Sequence, residues 1–231
     1  MAQLQVDLDA PTYWPLATAA SEQIRRAPAG LPYESGGKRV LDVVFASMLL
    51  VGTLPLWILI AIAIKLESPG PVIFRQVRIG RGGKPFRFYK FRSMRADAEQ
   101  RRLALLQANE VSGPVFKMRS DPRITRVGRL LRRSSLDELP QLINVLRGEM
   151  SVVGPRPAIP EEVRRYRPSD AARLAVKPGL TCWWQVRGRS NCDFDSWMRY
   201  DREYIDDICL RTDLAIIWAT FWAVITARGA Y

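Results

Sequence analysis

Between Val40 and Ile64 the chain carries 25 residues with a single charge, Asp42. That length exceeds what the core helix of a small domain needs and predicts insertion into a membrane. Lys38 and Arg39 stand before the segment and Lys65 after it, so both flanks meet the preference of cations for the cytoplasmic side. Pro55, following Gly52 and Thr53, interrupts the backbone ladder near the middle. The pattern therefore predicts two half-helices of about 13 and 10 residues, each reaching roughly 15–20 Å. A re-entrant hairpin, broken at Pro55 and returning to the cytoplasmic face, meets the charge, proline and length constraints together. Thr53 is a candidate partner for the backbone freed at the bend. A kinked spanning helix is the alternative.

Ser68-Pro69-Gly70-Pro71 stops this element, and the pattern then changes period. Val72–Phe74 and Phe86–Phe91 read as short strands around a basic glycine loop, Arg78 to Lys84, which does not match a nucleotide-cradling Walker loop. Lys90 and Arg92 alternate with aromatics and would share one strand face, either as a solvated edge or as phosphate contacts. A polar helix is expected over 96–109, a helix over Leu136–Leu146 and a short strand over Met150–Val153. Next come a turn over Lys177–Thr181, a strand over Cys182–Val186 and a polar helix over Phe194–Ile208. The last helix, Leu214–Thr226, sets Trp218, Phe221, Trp222 and Ile225 on one face; it is too short to span a bilayer and belongs either in the core or at the interface. Residues 1–37, rich in proline and without sustained periodicity, read as a flexible leader lacking signal-peptide features.

Composition narrows the chemistry. A net charge of +12 predicts attraction to phosphates, nucleic acid or anionic lipid. With no histidine in the chain, acid–base or nucleophilic work falls to carboxylate, lysine or cysteine. Cys182, Cys192 and Cys209 form no CxxC pair, and reduced thiols without a zinc site are expected.

Asp137 and Glu138 are the stretch to which this chemistry points. They follow Arg123, Arg126, Arg129, Arg132 and Arg133, so an anion held by these arginines would lie beside a carboxylate able to attack it or to hold a metal. Ser135 with Glu138 fits a capping box, and the helix dipole would keep Asp137 ionised. Pro140 disturbs that register unless Asp137 itself caps the helix. A capped helix whose acids merely serve its dipole is the plainer alternative. Arg156, between Pro155 and Pro157, is a stiffly presented guanidinium suited either to phosphate or to pairing with an acid.

Several separated stretches together resemble the bacterial sugar transferases, the monotopic phosphoglycosyl transferases. They are Lys38-Arg-Val-Leu-Asp42, Ser68-Pro-Gly-Pro-Val-Ile-Phe-Arg-Gln76, Tyr89-Lys-Phe-Arg-Ser-Met94, Ser135-Leu-Asp-Glu-Leu-Pro-Gln141, Asn144-Val-Leu-Arg-Gly148, Met150-Ser-Val-Val-Gly-Pro-Arg-Pro157 and Gly229-Ala-Tyr231. Cys182 departs from the family, which usually has glycine after Pro-Gly-x-Thr. Some longer relatives carry four spanning helices before this domain, and residues 1–37 are expected to contain none of them.

The resemblance implies transfer of a sugar 1-phosphate from a nucleotide sugar, usually uridine-linked, to a polyprenol phosphate, with Mg²⁺ required. Asp137 matches the nucleophile that forms a phosphosugar–aspartyl intermediate and is the expected metal contact; Glu138 is its dyad partner. Lys90, Arg132 and Arg156 match positions held near the phosphates. The expected fold is α/β (α+β, mostly helical), with short strands and amphipathic interfacial helices. Residues 1–37 form the leader, 38–67 the re-entrant membrane hairpin, and 68–231 a catalytic domain on the cytoplasmic face of the bacterial inner membrane. Partners are the nucleotide sugar, the polyprenol phosphate and the membrane, with no nucleic acid; the oligomeric state is open, a homodimer being one option. The competing class is a membrane-tethered basic module binding anionic lipid or nucleic acid, but its aromatics show no base-stacking pattern.

Overall fold

A computed structural model describes residues 33–105, 107, 109–110, 115, 118, 120–187 and 193–226. Most of the expected leader, Cys192 and the Gly229-Ala-Tyr231 motif lie outside these residues.

Helix α1, Lys38–Glu67, follows a short π-helical turn, Tyr33–Gly37. One face docks on the rest of the chain through Ala46, Ile60 and Ile64, all buried. The opposite face exposes Val40, Val44, Val51, Ile58, Ile62 and Leu66, spaced as a single helical stripe. Asp42, the charge inside this apolar run, accepts from Ser151 Oγ and Val152 N, each at 2.8 Å. Helical backbone runs through Pro55 without the expected break into two half-helices. Proline removes one donor, and packing on either side holds the flanking turns: Phe45, Leu49 and Leu50 join one apolar cluster, Leu56, Trp57 and Ile60 another. Thr53 donates to Leu49 O at 2.6 Å and accepts from Trp57 Nε1 at 3.2 Å, stapling successive turns.

Strands β1, Ile73–Ile79, and β2, Pro85–Phe91, form an antiparallel hairpin pairing Ile73 with Phe91 and Ile79 with Pro85. β1 runs longer than expected because Arg75, Gln76 and Arg78, which interrupt its apolar run, are tolerated in a ladder whose backbone groups are paired. Helix α2 covers only Ala98–Ala104 of the polar stretch. Helix α3, Arg126–Arg133, is capped by Thr125, whose hydroxyl accepts from Gly128 N at 2.9 Å. Gly128 lies so close to the Ser93 backbone that any Cβ would overlap it, which seats α3 against the end of β2.

Next come a 3₁₀ turn, Leu136–Glu138, and helix α4, Gln141–Arg147. The expected helix over Leu136–Leu146 therefore starts late: Pro140 is its N-cap, the part of a helix where a missing N–H costs least. Ser135 makes no capping bond.

Strand β3, Ser151–Val153, pairs in parallel with β4, Gly179–Thr181, so the expected turn over Lys177–Thr181 is half strand. Between them lie α5, Pro160–Val163, and a 3₁₀ segment, Pro168–Ala175. The expected strand over Cys182–Val186 is instead helix α6, Trp183–Arg187, in which Trp184 packs on Trp197 with ring centroids 4.1 Å apart. Helices α7, Phe194–Asp206, and α8, Leu210–Ile225, complete the described residues. α8 buries Thr212, Asp213 and Ile216, whereas Trp218, Phe221, Trp222 and Ile225 are each more than half exposed. Its aromatic face is therefore not part of the core. The central core joins Ala46 of α1 to Leu142, Val145, Met150, Val152, Val153 and Ile216. The described residues make a mixed, mostly helical fold with one long apolar helix.

Candidate functional site

The chain leaves α3 through Ser135, the one described non-glycine residue in the left-handed region, at φ 57°. The turn that follows carries Asp137 inward, to 4% exposure, and leaves Glu138 half-buried. Lys90 reaches both acids from β2, its Nζ lying 2.9 Å from Glu138 Oε1 and 3.5 Å from Asp137 Oδ2. The Phe88 ring supports the same ammonium from 5.6 Å. Arg132, in the last turn of α3, donates from Nε to Ser93 Oγ at 3.1 Å. Arg156 lies over the Trp197 ring at 5.7 Å, while its carbonyl accepts from Arg173 at 2.9 Å. Arg173 is itself ion-paired with buried Asp201 at 2.9 Å. Lys90, Arg132, Asp137, Glu138 and Arg156 all line one cavity of about 1450 Å³. Pro55 is not among its lining residues.

Burial pushes the Asp137 carboxyl above its ordinary pKa, Lys90 draws it back most strongly, Glu138 raises it again and Arg132 lowers it. Asp137 does not stand in the first turn of the expected helix but in a three-residue turn ahead of α4. Burial also lowers the Arg132 pKa, opposed by the charges of Asp137 and Asp121.

The five arginines read as one group separate around α3. Arg126, Arg129 and Arg133 are exposed and do not line the cavity, and Arg123 pairs with Asp121 at 2.7 Å. Arg92 is likewise structural: its guanidinium donates to Ser68 O at 2.6 Å and Pro69 O at 2.8 Å, fixing the chain where it leaves α1.

Asp137 and Glu138 are hard oxygen donors, and Mg²⁺ typically takes one or two carboxylates together with substrate phosphates. The donor set fits that ion, although the described residues contain no group of three or more metal-ligating side chains. Sequence reasoning missed Ser93 as the Arg132 partner, though it stands inside a noted motif. It also missed Trp184 and Trp197, whose buried indole nitrogens have no hydrogen-bond partner among the described residues while both rings line the cavity. Nothing in their spacing marks them.

The family model described as "Bacterial sugar transferase" matches residues 33–227. The chain is 46% identical over 202 residues to UDP-glucose:undecaprenyl-phosphate glucose-1-phosphate transferase of Caulobacter vibrioides, covering 84% of this chain and 72% of that protein. It is 37% identical over 217 residues to exopolysaccharide production protein ExoY of Rhizobium meliloti, covering 89% and 96%. With galactosyl transferase CpsE of Streptococcus agalactiae the identity is 44% over 196 residues, covering 84% of this chain. The chain spans only 41–43% of the length of CpsE and of two further relatives. A match across nearly all described residues, including the acid–lysine–arginine cavity, means that the chain belongs to the bacterial sugar transferase family.

Proposed function

We propose that this chain transfers a sugar 1-phosphate from a nucleotide sugar, with UDP as the nucleotide, to undecaprenyl phosphate or a similar polyprenol phosphate. This step would initiate an exopolysaccharide or another surface glycan. One observation carries the reading: a buried carboxylate, Asp137, shares a cavity with Glu138, Lys90, Arg132 and Arg156. The donor and acceptor classes appear in the names of several relatives.

An Asp137 oxygen attacks the phosphorus bonded to the sugar, and the bridging bond to the nucleoside monophosphate breaks as that group leaves. A phosphate oxygen of the polyprenol phosphate then attacks the same phosphorus, breaking the aspartyl phosphate bond and restoring the carboxylate. Lys90, Arg132 and Arg156 supply positive charge where the transferred phosphoryl group gathers negative charge. Glu138 holds the Lys90 ammonium beside the nucleophile at 2.9 Å. Asp137, with Glu138 adjacent, would hold Mg²⁺, which neutralises phosphate charge when bound.

We place the chain on the cytoplasmic face of the inner membrane from the cationic flanks Lys38, Arg39 and Lys65, and read its seating as re-entrant from the contacts at the two ends of α1. Near its start, Lys38 Nζ donates to Tyr204 OH at 2.9 Å and to Asp213 Oδ2 at 2.5 Å. At its end, Glu67 accepts from Arg126 N at 2.6 Å and Val127 N at 2.9 Å. Attachment of the body at both ends of one apolar helix favours a re-entrant seating over a spanning one.

The test uses the full chain in vesicles with UDP-sugar and Mg²⁺ but no acceptor. About one equivalent of UMP should appear and then stop, with a matching sugar-phosphate adduct on Asp137 by intact-protein mass spectrometry and none on Asp137→Asn. An adduct that survives in Asp137→Asn, or UMP release that requires acceptor, refutes the covalent route. A basic binding module would release no UMP under any condition.

A further inference from the structure

The cavity has two unlike walls. Its polar wall carries the acids and cations just described. Its other wall is apolar and comes from two helices distant in sequence: Phe45 and Leu49 of α1, and Leu214, Ile217, Trp218 and Phe221 of α8. Phe45, Leu49 and Ile217 all pack against one apolar cluster that holds Ala46 of α1 and Ile216 of α8, so both helices border the same core beneath this wall. Above that contact Leu214, Trp218 and Phe221 remain 49%, 63% and 54% exposed, and the Trp218 and Phe221 rings stack with centroids 6.0 Å apart.

Large apolar side chains left open beside an apolar helix normally mark a ligand or membrane contact. A nucleotide sugar is polar and anionic apart from its one flat base, which stacks on an aromatic ring but is too small to cover the aliphatic and aromatic side chains of both helices. Membrane anchoring alone would leave unexplained why the wall is continuous with the cavity of Asp137, since the lipid-facing stripe of α1, for example Val51 and Ile58, is not part of that cavity. An acceptor with a phosphate at one end and a hydrocarbon chain at the other needs both walls at once.

We propose that α1 and α8 form the acceptor groove, in which the isoprene units nearest the phosphate lie between Phe45 and Leu49 on one side and Leu214, Trp218 and Phe221 on the other. This inference rests on the transfer reaction proposed above. It makes Trp218 and Phe221 determinants of acceptor use, with no part in the chemistry at phosphorus.

The test uses the full chain in phosphatidylethanolamine/phosphatidylglycerol vesicles with a polyprenol phosphate bearing a diazirine on the unit nearest the phosphate. Photolysis should place adducts on peptides containing Phe45–Leu49 and Leu214–Phe221, ahead of peptides containing Val51–Ile58. Trp218→Ala/Phe221→Ala should raise KM for the acceptor at least tenfold with kcat nearly unchanged, while the donor-only UMP burst keeps its wild-type amplitude. Val51→Ala, on the lipid-facing stripe, should leave KM as it is. Adducts confined to the lipid-facing stripe, or a double variant that loses vesicle binding yet keeps its KM for a short, detergent-soluble prenyl phosphate, would make α8 an anchor only and overturn the proposal. A wild type without a donor-only burst, but with adducts in the groove, would remove the covalent route and leave the acceptor groove standing.

Discussion

Asp137 answers to two opposed demands. As the proposed nucleophile it must be ionised, yet burial raises its pKa, and Lys90 is the strongest counterweight. Lys90→Ala should therefore shift the acidic limb of the donor-only pH–rate profile to higher pH and slow the step roughly 10²-fold, the usual cost of removing one electrostatic stabiliser. An unmoved limb would mean that Lys90 does not set the ionisation of Asp137. The same raised pKa has a stability consequence. Between the unfolded and folded pKa values the folded protein holds the extra proton, so stability is full below the ordinary value of 3.8 and falls as pH rises through the folded pKa. Asp137→Asn should thus melt higher than wild type at pH 7–8, by about 2–4 °C for each kcal/mol relieved. Differential scanning fluorimetry should show that gain shrinking as pH approaches 4. That the candidates share one cavity was legible for Lys90, Asp137, Glu138 and Arg156, which stand in the quoted motifs, and less so for Arg132, which stands outside them. The partners of Arg92 and Arg123 were not, because folding decides them: Ser68 and Pro69 meet Arg92 where the chain leaves α1, and Asp121 holds Arg123, although both arginines also line the cavity.

Among the elements, α7 steadies the site from behind. Its Asp201, fully buried and pushed up to about 6 by that burial, pairs with Arg173, which in turn holds the Arg156 carbonyl. Asp201→Asn strands a buried guanidinium, and we expect a loss of about 3–5 kcal/mol in stability. In protein that remains folded, activity should fall more steeply than membrane binding; equal loss of both would mean that Arg156 does not depend on this support. Long elements were legible in type and place, as α1, α7 and α8 show, although α1 lacks the expected break at Pro55 and α8 starts at Leu210 rather than Leu214. Short ones were decided by tertiary contact. Trp183–Arg187 has strand-like residues but coils because β3 is already paired by Gly179–Thr181 and Trp184 finds its partner in Trp197. The late start of α4 was half visible, since Pro140 had already made the capping box at Ser135 hard to fit.

At the scale of the whole molecule, α1 is an outer wall with its apolar stripe turned away from everything else. If both its ends lie on one side of the bilayer, cysteines introduced at exposed Gly36 and Lys84, in a background without native cysteines, should react only with reagent added to the cytoplasmic side. Reaction of Gly36→Cys from the opposite side would establish a spanning helix instead. The grip of Lys38 and Glu67 on their partners has a mechanical corollary. A helix that emerges from both faces must match the thickness of the hydrocarbon, tilting or thinning the lipid when it does not. One that returns to the leaflet it entered has no far boundary to match. Turnover in phosphatidylcholine vesicles should accordingly stay nearly level as the acyl chains lengthen from about 14 to 22 carbons, a range over which spanning helices meet growing mismatch. A sharp optimum along that series would show that the helix feels both leaflets. A level response would mean that Asp137 keeps a constant distance from the headgroups whatever the thickness of the membrane.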